Sequence, residues 1–142
     1  MTIDEQIGEL NLEVKCHIKP SSIHGIGVFA LRDIKQGEKL YLIPNKTRKW
    51  YSIPFEQLYG LRPEIKEVVL ARWPSIILGS MFISPNDMDW LVTFVNHSCN
   101  NFNYYQDDDC ATRDIECGEE ILERYCQMKR YKEVFPWLSC SC

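Results

Sequence analysis

The stretch FVNHSCNNFN at residues 94–103 places polar and reactive side chains directly after an apolar run. The segment WLVTFV at 90–95 has the composition of a buried element, so residues 96–99 stand where the apolar pattern would otherwise continue into the core. Taken alone, NHSC indicates a polar turn that ends a buried strand, with His97 as a hydrogen-bonded core histidine, because short motifs often match by chance. The rest of the chain decides between this interpretation and a binding site.

The composition is that of an ordinary globular protein of one domain. The chain has 142 residues, of which 45% are hydrophobic and 25% are charged, which is enough for a core of its own. Its net charge of −4, from 16 basic and 20 acidic residues, does not favour nucleic acid as the main partner. The acidic run Asp107-Asp108-Asp109 fits a solvated face, with an acidic rim for a basic peptide as the alternative.

The sequence carries no sign of secretion or of a membrane span. Its start, MTIDEQIGELNLEVK, contains four acidic side chains and lacks the apolar core of a secretory signal. The longest apolar run, IILGSMFI at 76–83, is too short to cross a bilayer. Seven cysteines, an odd number without such a signal, predict reduced thiols, some of which could bind metal, rather than a disulfide framework. We therefore expect a soluble intracellular protein, cytoplasmic or nuclear.

Local patterns predict a β-rich α+β chain with one helical insert. Short strands broken by turns are expected over residues 14–44 and again over 103–125. The segment PEIKEVVLARW at 63–73 predicts a helix, because proline suits its first position and apolar residues recur at helical spacing. Residues 76–83 fit a buried strand, whereas 87–95 fit either a helical turn or a strand.

Two phrases of the sequence echo each other, RDIKQGEKL at 32–40 and RDIECGEEI at 113–121. Each fits a strand end, a turn centred on Gly37 or Gly118, and a new strand whose apolar residue points inward. We interpret them as two similar turns that arose independently rather than as a duplicated domain.

Three stretches in order, HGIGVFA at 24–30, FVNHSC at 94–99 and GEEILERY at 118–125, resemble the SET domain, the fold of protein-lysine methyltransferases. The family pattern is GxG before a short apolar strand, then an NHSCxPN-like segment, then GEE followed by a tyrosine. Each motif alone is weak evidence, whereas three of them in the family's order are strong evidence.

The resemblance covers roughly Ser21 to Tyr125 and has consequences for the fold. It implies a mainly β SET-domain fold of several small sheets with a short helical insert. It also implies a C-terminal pseudoknot, in which the segment bearing NHSC crosses the one bearing GEE and the tyrosine. A single SET domain would then span 1–142, with its core at about 14–125 and a post-SET-like tail at 126–142.

The same resemblance implies a methyl transfer from S-adenosylmethionine to a lysine side chain of a protein, histone-like or otherwise. It assigns cofactor binding to Gly25, Ile26, Gly27, Asn96 and His97. Glycines let the backbone approach a ligand closely, and an asparagine amide suits the zwitterionic amino-acid end of the cofactor.

Tyr125 is the predicted catalytic residue, because it follows GEE as the family tyrosine does. A phenol at the mouth of a narrow channel can hydrogen-bond the incoming amine and orient its lone pair, and an apolar channel favours the neutral amine. The alternative is a core tyrosine with a satisfied hydroxyl. The partner implied is a protein or peptide that presents lysine, and neither a membrane nor nucleic acid is indicated.

The chain departs from the family pattern where the substrate would be handled. Leu122, Glu123 and Arg124 stand where threonine, an aromatic residue and aspartate are more usual. Thr93 replaces a common arginine, and Asn103 fills the motif's asparagine position only if one residue is inserted. Two alternatives therefore stay open, a catalytically weak or inactive peptide-binding module and a zinc-stabilised interaction domain.

The resemblance also bears on metal binding. Many SET domains bind zinc through the cysteine of NHSC, a C-x-C pair and a further cysteine, which complete a tetrahedral thiolate site. Cys99, Cys140 and Cys142 match three of those positions, and the sequence ends before the fourth. Because a closed structural site needs four ligands, we assign no metal ligands and keep zinc through these three cysteines as an alternative.

Overall fold

The computed structural model describes residues 1–43, 51–72, 76–77, 79–83, 91–127, 131–134 and 136–138. The α-helices are α1 (Ile3–Glu13), α2 (Pro63–Arg72) and α3 (Tyr131–Val134), and short 3₁₀ helices lie at Phe55–Gly60, Leu91–Phe94 and Tyr125–Gln127. The strands are β1 (Cys16–Pro20), β2 (Ile26–Ala30), β3 (Tyr51–Pro54), β4 (Ile76–Ile77), β5 (Ser80–Ile83), β6 (Asn96–His97), β7 (Tyr104–Tyr105), β8 (Cys110–Ala111) and β9 (Glu120–Glu123). The mainly β fold with a short helical insert is confirmed.

The strands form two sheets, and β9 is the centre of the larger one. The larger sheet has the order β1-β2-β9-β7-β8, and β6 pairs with β9 beside that path. Both β6 and β7 run parallel to β9, whereas β2 runs antiparallel to it. The smaller sheet has the order β3-β5-β4. Strand β9 thus joins three strands from three parts of the chain.

The N-terminal helix α1 is an element that the sequence analysis missed. A capping box begins it: the Thr2 hydroxyl accepts from the Glu5 N–H at 3.1 Å, and the Glu5 carboxylate accepts from the Thr2 N–H at 2.7 Å. The T-x-x-E spacing that encodes this box is readable in the sequence. Ile7 and Leu10 are buried, so the helix packs one apolar face against the core.

Two predicted strands differ in the structure, and the backbone explains both differences. The single strand expected at 76–83 is instead the antiparallel pair β4–β5, because Gly79 at φ 83° reverses the chain. The strand expected at the end of 14–44 is reduced to one bridge between Lys39 and Cys110, since Tyr41 at φ 59° interrupts the extended backbone.

The two predicted turns at Gly37 and Gly118 are confirmed. Their φ angles are 83° and 87°, a left-handed conformation that L side chains rarely adopt. In each turn the N–H after the glycine donates to a carbonyl three residues earlier at 3.0 Å. This is the hydrogen bond of a tight turn with glycine at its third position.

The two echoing phrases also pair with each other. Ile34 and Ile115 exchange two backbone hydrogen bonds of 2.8 Å. The carboxylates of Asp33 and Asp114 each accept a backbone N–H from the other phrase's turn, at 2.8 and 2.9 Å. Because the contacts are reciprocal, the repeated sequence serves one shared junction between the N-terminal and C-terminal strands.

Alanine at Gly118 should destabilise the protein by about 1 kcal/mol, because its φ of 87° strains an L side chain. Gly8→Ala is the matched control, since an added Cβ meets nothing within 4 Å at either position and only the backbone conformation differs. Within α1, Gly8→Ala should stabilise by about 0.5–1 kcal/mol. Thermal unfolding of both variants tests this, and a shift of the two melting temperatures in the same direction would contradict it.

Candidate functional site

Three segments that are distant in the sequence meet around the side-chain amide of Asn96, which is 9% exposed. Its Nδ2 donates to the carbonyl oxygens of His24 and Ile26 at 3.0 and 3.3 Å, and to Oε2 of Glu120 at 3.0 Å. All three partners are acceptors, which fixes the orientation of the amide. Its Oδ1 therefore points away from them and can accept a hydrogen bond from another donor.

Glu120 is a site residue that the sequence analysis missed. Its carboxylate also accepts from the Ser21 hydroxyl at 2.7 Å, so it joins the Asn96 amide to the loop before β2. A Cβ added at Gly27 would stand 2.8 Å from Oε2 of Glu120, so a side chain there would force the carboxylate to shift from its present position. The second glutamate of GEE was visible in the sequence, but spacing did not reveal which groups it holds.

The glycines of the GIG segment are required for different reasons. Gly25 has φ 48°, a left-handed conformation, whereas Gly27 leaves room for the Glu120 carboxylate. Between them Ile26 is 47% exposed, and its carbonyl accepts from Asn96. The structure thus brings together four of the five residues predicted for cofactor binding, Gly25, Ile26, Gly27 and Asn96.

The ring of the fifth, His97, is held by the tyrosine segment. Its Nδ1 accepts from the Tyr125 N–H at 3.0 Å. Because a backbone N–H can only donate, the proton of the neutral ring lies on Nε2, which is 3.3 Å from Sγ of Cys99. Burial lowers the pKa of His97, so the ring is neutral at pH 7.

Tyr125 lies beside His97, with ring centroids 5.1 Å apart. Its hydroxyl donates to the carbonyl oxygen of Val95. Parallel pairing of β6 with β9 sets the two segments side by side. This is the meeting of the NHSC and GEE segments that the expected pseudoknot requires.

The side-chain amide of Asn103 hydrogen-bonds to the backbone of β9 in the way that a neighbouring strand would. It is fully buried, its Nδ2 donates to the Glu120 carbonyl at 2.8 Å, and its Oδ1 accepts from the Leu122 N–H at 2.8 Å. An asparagine amide has one donor and one acceptor face, so it reproduces the pattern of a peptide group.

Glu123, the last residue of β9, is a buried acid at 1% exposure and forms no ion pair within the described part of the chain. Its register partners are His97 on β6 and Tyr104 on β7, so the three side chains form a row across parallel strands. Its Oε1 accepts one long hydrogen bond, 3.4 Å, from the Gln106 N–H. Burial raises the pKa of Glu123 to about 7, and the charge of Asp107 adds to the effect.

The interpretation of the acidic run as a solvated face is wrong for Asp109, which is 4% exposed. Its Oδ1 accepts from the Tyr104 hydroxyl at 2.6 Å and from the Leu42 N–H at 3.1 Å. Burial raises the pKa of Asp109. Asp107 and Asp108 remain exposed, so only these two present charge to solvent.

A sulfur-rich group of atoms lies next to the tyrosine segment. A ring nitrogen of His97 and the Sγ atoms of Cys99 and Cys126 lie within 4.8 Å of one another. Sequence reasoning missed Cys126, although it directly follows the predicted catalytic tyrosine. When reduced, the two sulfurs would suit zinc, but His97 does not, because one nitrogen is occupied by a peptide N–H and the other carries the proton. The other predicted ligands, Cys140 and Cys142, lie outside the described residues.

The expectation of reduced thiols is wrong for Cys99 and Cys126, both of which are disulfide-bonded. The fold brings the Sγ atoms of Cys99 and Cys126 close together, and the spacing of these cysteines in the sequence did not indicate this. Free thiols are found at Cys16, Cys110 and Cys117.

The chain matches a known protein family, whereas no curated protein matches it. A family model for the SET domain matches residues 25–126. No curated protein is significantly similar in sequence. The solved structure of a Plasmodium falciparum "putative histone methyltransferase", PFL0690c, is 22% identical and matches 80% of this chain and 94% of its own with a TM-score of 0.39. A score this low does not establish a shared arrangement of the whole chain.

None of the described helices combines the length and the apolar character that crossing a bilayer requires.

Replacing Glu123 with glutamine should make stability less dependent on pH. Because the folded-state pKa, about 7, lies above the ordinary value of 4.5, the wild type loses stability as pH rises through this window. Glu123→Gln should therefore gain little at about pH 5 and about 3 kcal/mol at about pH 8 relative to wild type. Urea unfolding measures this, with the exposed Glu116→Gln as control, and a gain that does not change with pH would contradict it.

Proposed function

Because the chain belongs to the SET domain family, we propose that it transfers a methyl group from S-adenosylmethionine to a lysine side chain of a protein or peptide. The observation that carries this proposal is the convergence of the GIG segment, the Asn96 amide and Tyr125 around strands β6 and β9. When bound, S-adenosylmethionine supplies an electrophilic methyl group on a sulfonium. The residues of this chain supply binding and orientation, which contribute much of the rate in such transfers.

We assign the cofactor-binding role to Gly25, Ile26, Gly27, Asn96 and His97. Oδ1 of Asn96 suits the ammonium of an amino-acid ligand, because Nδ2 is already committed to three acceptors. The adjacent Glu120 carboxylate adds negative charge near that ammonium. A role for His97 through its main chain agrees with a ring that already contacts Tyr125 and Cys99.

Tyr125 has the geometry to hold the nucleophile. Since its hydroxyl donates to the Val95 carbonyl, the phenol oxygen can accept an N–H from the incoming amine. The amine lone pair would then point away from the phenol, toward the methyl group. Tyr125 would act as a catalytic residue by orientation.

Four thiolates would complete a structural zinc site beside Tyr125. Cys99 and Cys126 hold sulfur atoms within 4.8 Å, and the C-x-C pair Cys140 and Cys142 supplies two more cysteines in the sequence. Cys126 therefore offers the fourth position that the family pattern left unfilled. Zinc binding requires reduced, deprotonated sulfurs, so we expect it under reducing conditions.

Tyr125→Phe should lower the methyl-transfer rate about a hundredfold, or about 3 kcal/mol, with little change in cofactor affinity, because the lost hydrogen bond faces the amine. Calorimetry with S-adenosylmethionine and transfer of its labelled methyl group to purified core histones measure the two effects. Tyr59→Phe, at an 82% exposed tyrosine, is the control.

If wild-type protein binds neither S-adenosylmethionine nor S-adenosylhomocysteine, the proposed function is wrong. Peptide binding without turnover would instead identify a SET-fold peptide-binding module. Equal turnover by wild type and Tyr125→Phe would make Tyr125 a core tyrosine only.

Protein purified under reducing conditions should contain about one equivalent of zinc, and Cys126→Ser should release it, because a closed thiolate site needs four ligands. Cys117→Ser is the matched control, since Cys117 is a free and exposed thiol. Metal content by mass spectrometry decides the question. Equal zinc in Cys126→Ser and wild type would exclude Cys126 as a ligand.

A further inference from the structure

We propose that Glu123 is the base that takes the proton from the substrate lysine before methyl transfer. This inference rests on the proposed function, because an ammonium has no lone pair and the amine must be neutral to attack. In this step an N–H bond of the lysine ammonium breaks and an O–H bond forms on the Glu123 carboxylate, while the electron pair stays on nitrogen. The proton returns to solvent as the methylated product leaves.

Glu123 and Tyr125 are linked through His97. Glu123 is the register partner of His97 in the parallel β6–β9 pair, so their side chains emerge on the same face. The ring of Tyr125 packs against the His97 ring at 5.1 Å, and its N–H donates to the same ring. The carboxyl and the phenol therefore flank one histidine, and a lysine held by the phenol would arrive beside the carboxyl.

The carboxyl of Glu123 has unused hydrogen-bonding capacity. A buried carboxylate normally has several donors, yet Glu123 at 1% exposure accepts only the 3.4 Å bond from the Gln106 N–H among the described residues. Two nearby hydroxyls are committed elsewhere, since Tyr104 donates to Asp109 at 2.6 Å and Tyr105 donates to Asp107 at 2.7 Å. A buried acid with so few donors is expected where a ligand completes its hydrogen bonds.

The charged groups around Glu123 favour the binding of a cationic side chain. Among the described residues, the titratable groups that face it are His97 of β6, Tyr104 and Tyr105 of β7, Asp107 of the following turn, and Tyr125, and none of these is a cation at neutral pH. The guanidinium of the next residue, Arg124, lies over the Phe102 ring instead. With a pKa raised to about 7 by burial, Glu123 is poised to take up a proton at neutral pH, which is where a general base is most effective.

A groove lies next to the segment that donates to Glu123 and next to the segment that follows Tyr125. It has a volume of about 730 Å³, and its lining includes Tyr105, Asp108 and Gln127. Tyr105 precedes the residue that donates to Glu123, and Gln127 follows the Tyr125–Cys126 pair. The exposed carboxylate of Asp108 gives the groove a charge that attracts a lysine-bearing chain.

The test is the pH dependence of the single-turnover rate of Glu123→Gln with saturating labelled S-adenosylmethionine and core histones. The wild-type rate should rise through about pH 7, where Glu123 ionises, and then level off. The variant can use only lysine that is already neutral, so its rate should rise tenfold per pH unit up to about pH 10.4, the ordinary pKa of a lysine amine. It should be several hundredfold slower than wild type at about pH 7.5 and equal near pH 10.4.

Two further variants distinguish a role of Glu123 as a base from a role in stabilising the fold. Glu116→Gln, at an exposed position outside the site, should keep the wild-type profile. Glu123→Asp, which retains a carboxyl, should restore the plateau at a reduced rate. Cofactor affinity of Glu123→Gln, measured by calorimetry, should equal that of wild type.

A wild-type-shaped pH profile for Glu123→Gln would overturn the assignment of Glu123 and leave the methyltransferase proposal standing. A wild type without cofactor binding or turnover would overturn the proposed function and this inference with it.

Discussion

The pairing of strand β9 with three other strands is the constraint on which the rest of the structure depends. Three of its four residues, Ile121, Leu122 and Glu123, are buried, so their peptide groups need hydrogen-bond partners within the protein. Strands β2, β6 and β7 supply these partners, together with the side-chain amide of Asn103. Because those partners come from distant parts of the chain, satisfying one short strand also assembles the candidate site.

Two glutamates of this strand have opposite hydrogen-bonding environments. Glu120 accepts from the Ser21 hydroxyl and the Asn96 amide, so its carboxylate fastens the GIG loop to the NHSC segment. Glu123 accepts one long hydrogen bond from the described part of the chain and is almost fully buried. The hydrogen bonds of Glu120 stabilise the fold, whereas the ionised carboxylate of Glu123 lowers the free energy of unfolding. A buried charge without compensating hydrogen bonds is expected at a residue that acts in catalysis or binding rather than in stabilising the fold.

Much of the local structure is predictable from short-range patterns. Proline followed by apolar residues at helical spacing predicted α2, and glycines in the two RDI phrases predicted turns that need positive φ. The order of the three motifs predicted the SET fold. The same reasoning could have found α1, since Thr2 and Glu5 form a capping box. The strand expected near Tyr41 failed because its left-handed backbone is not encoded by a glycine.

The sequence by itself therefore determined the turns, the helical insert and the family, because each depends on neighbouring residues or on motif order. Only the tertiary structure decided which side chains meet: Glu120 with Asn96, Cys126 with Cys99, and Asp109 with Tyr104. It also decided that Glu123 is buried and forms no ion pair with another described residue, which its place next to Arg124 in the sequence did not suggest. Burial and partner choice follow from strand pairing across long separations, and no local periodicity records that pairing.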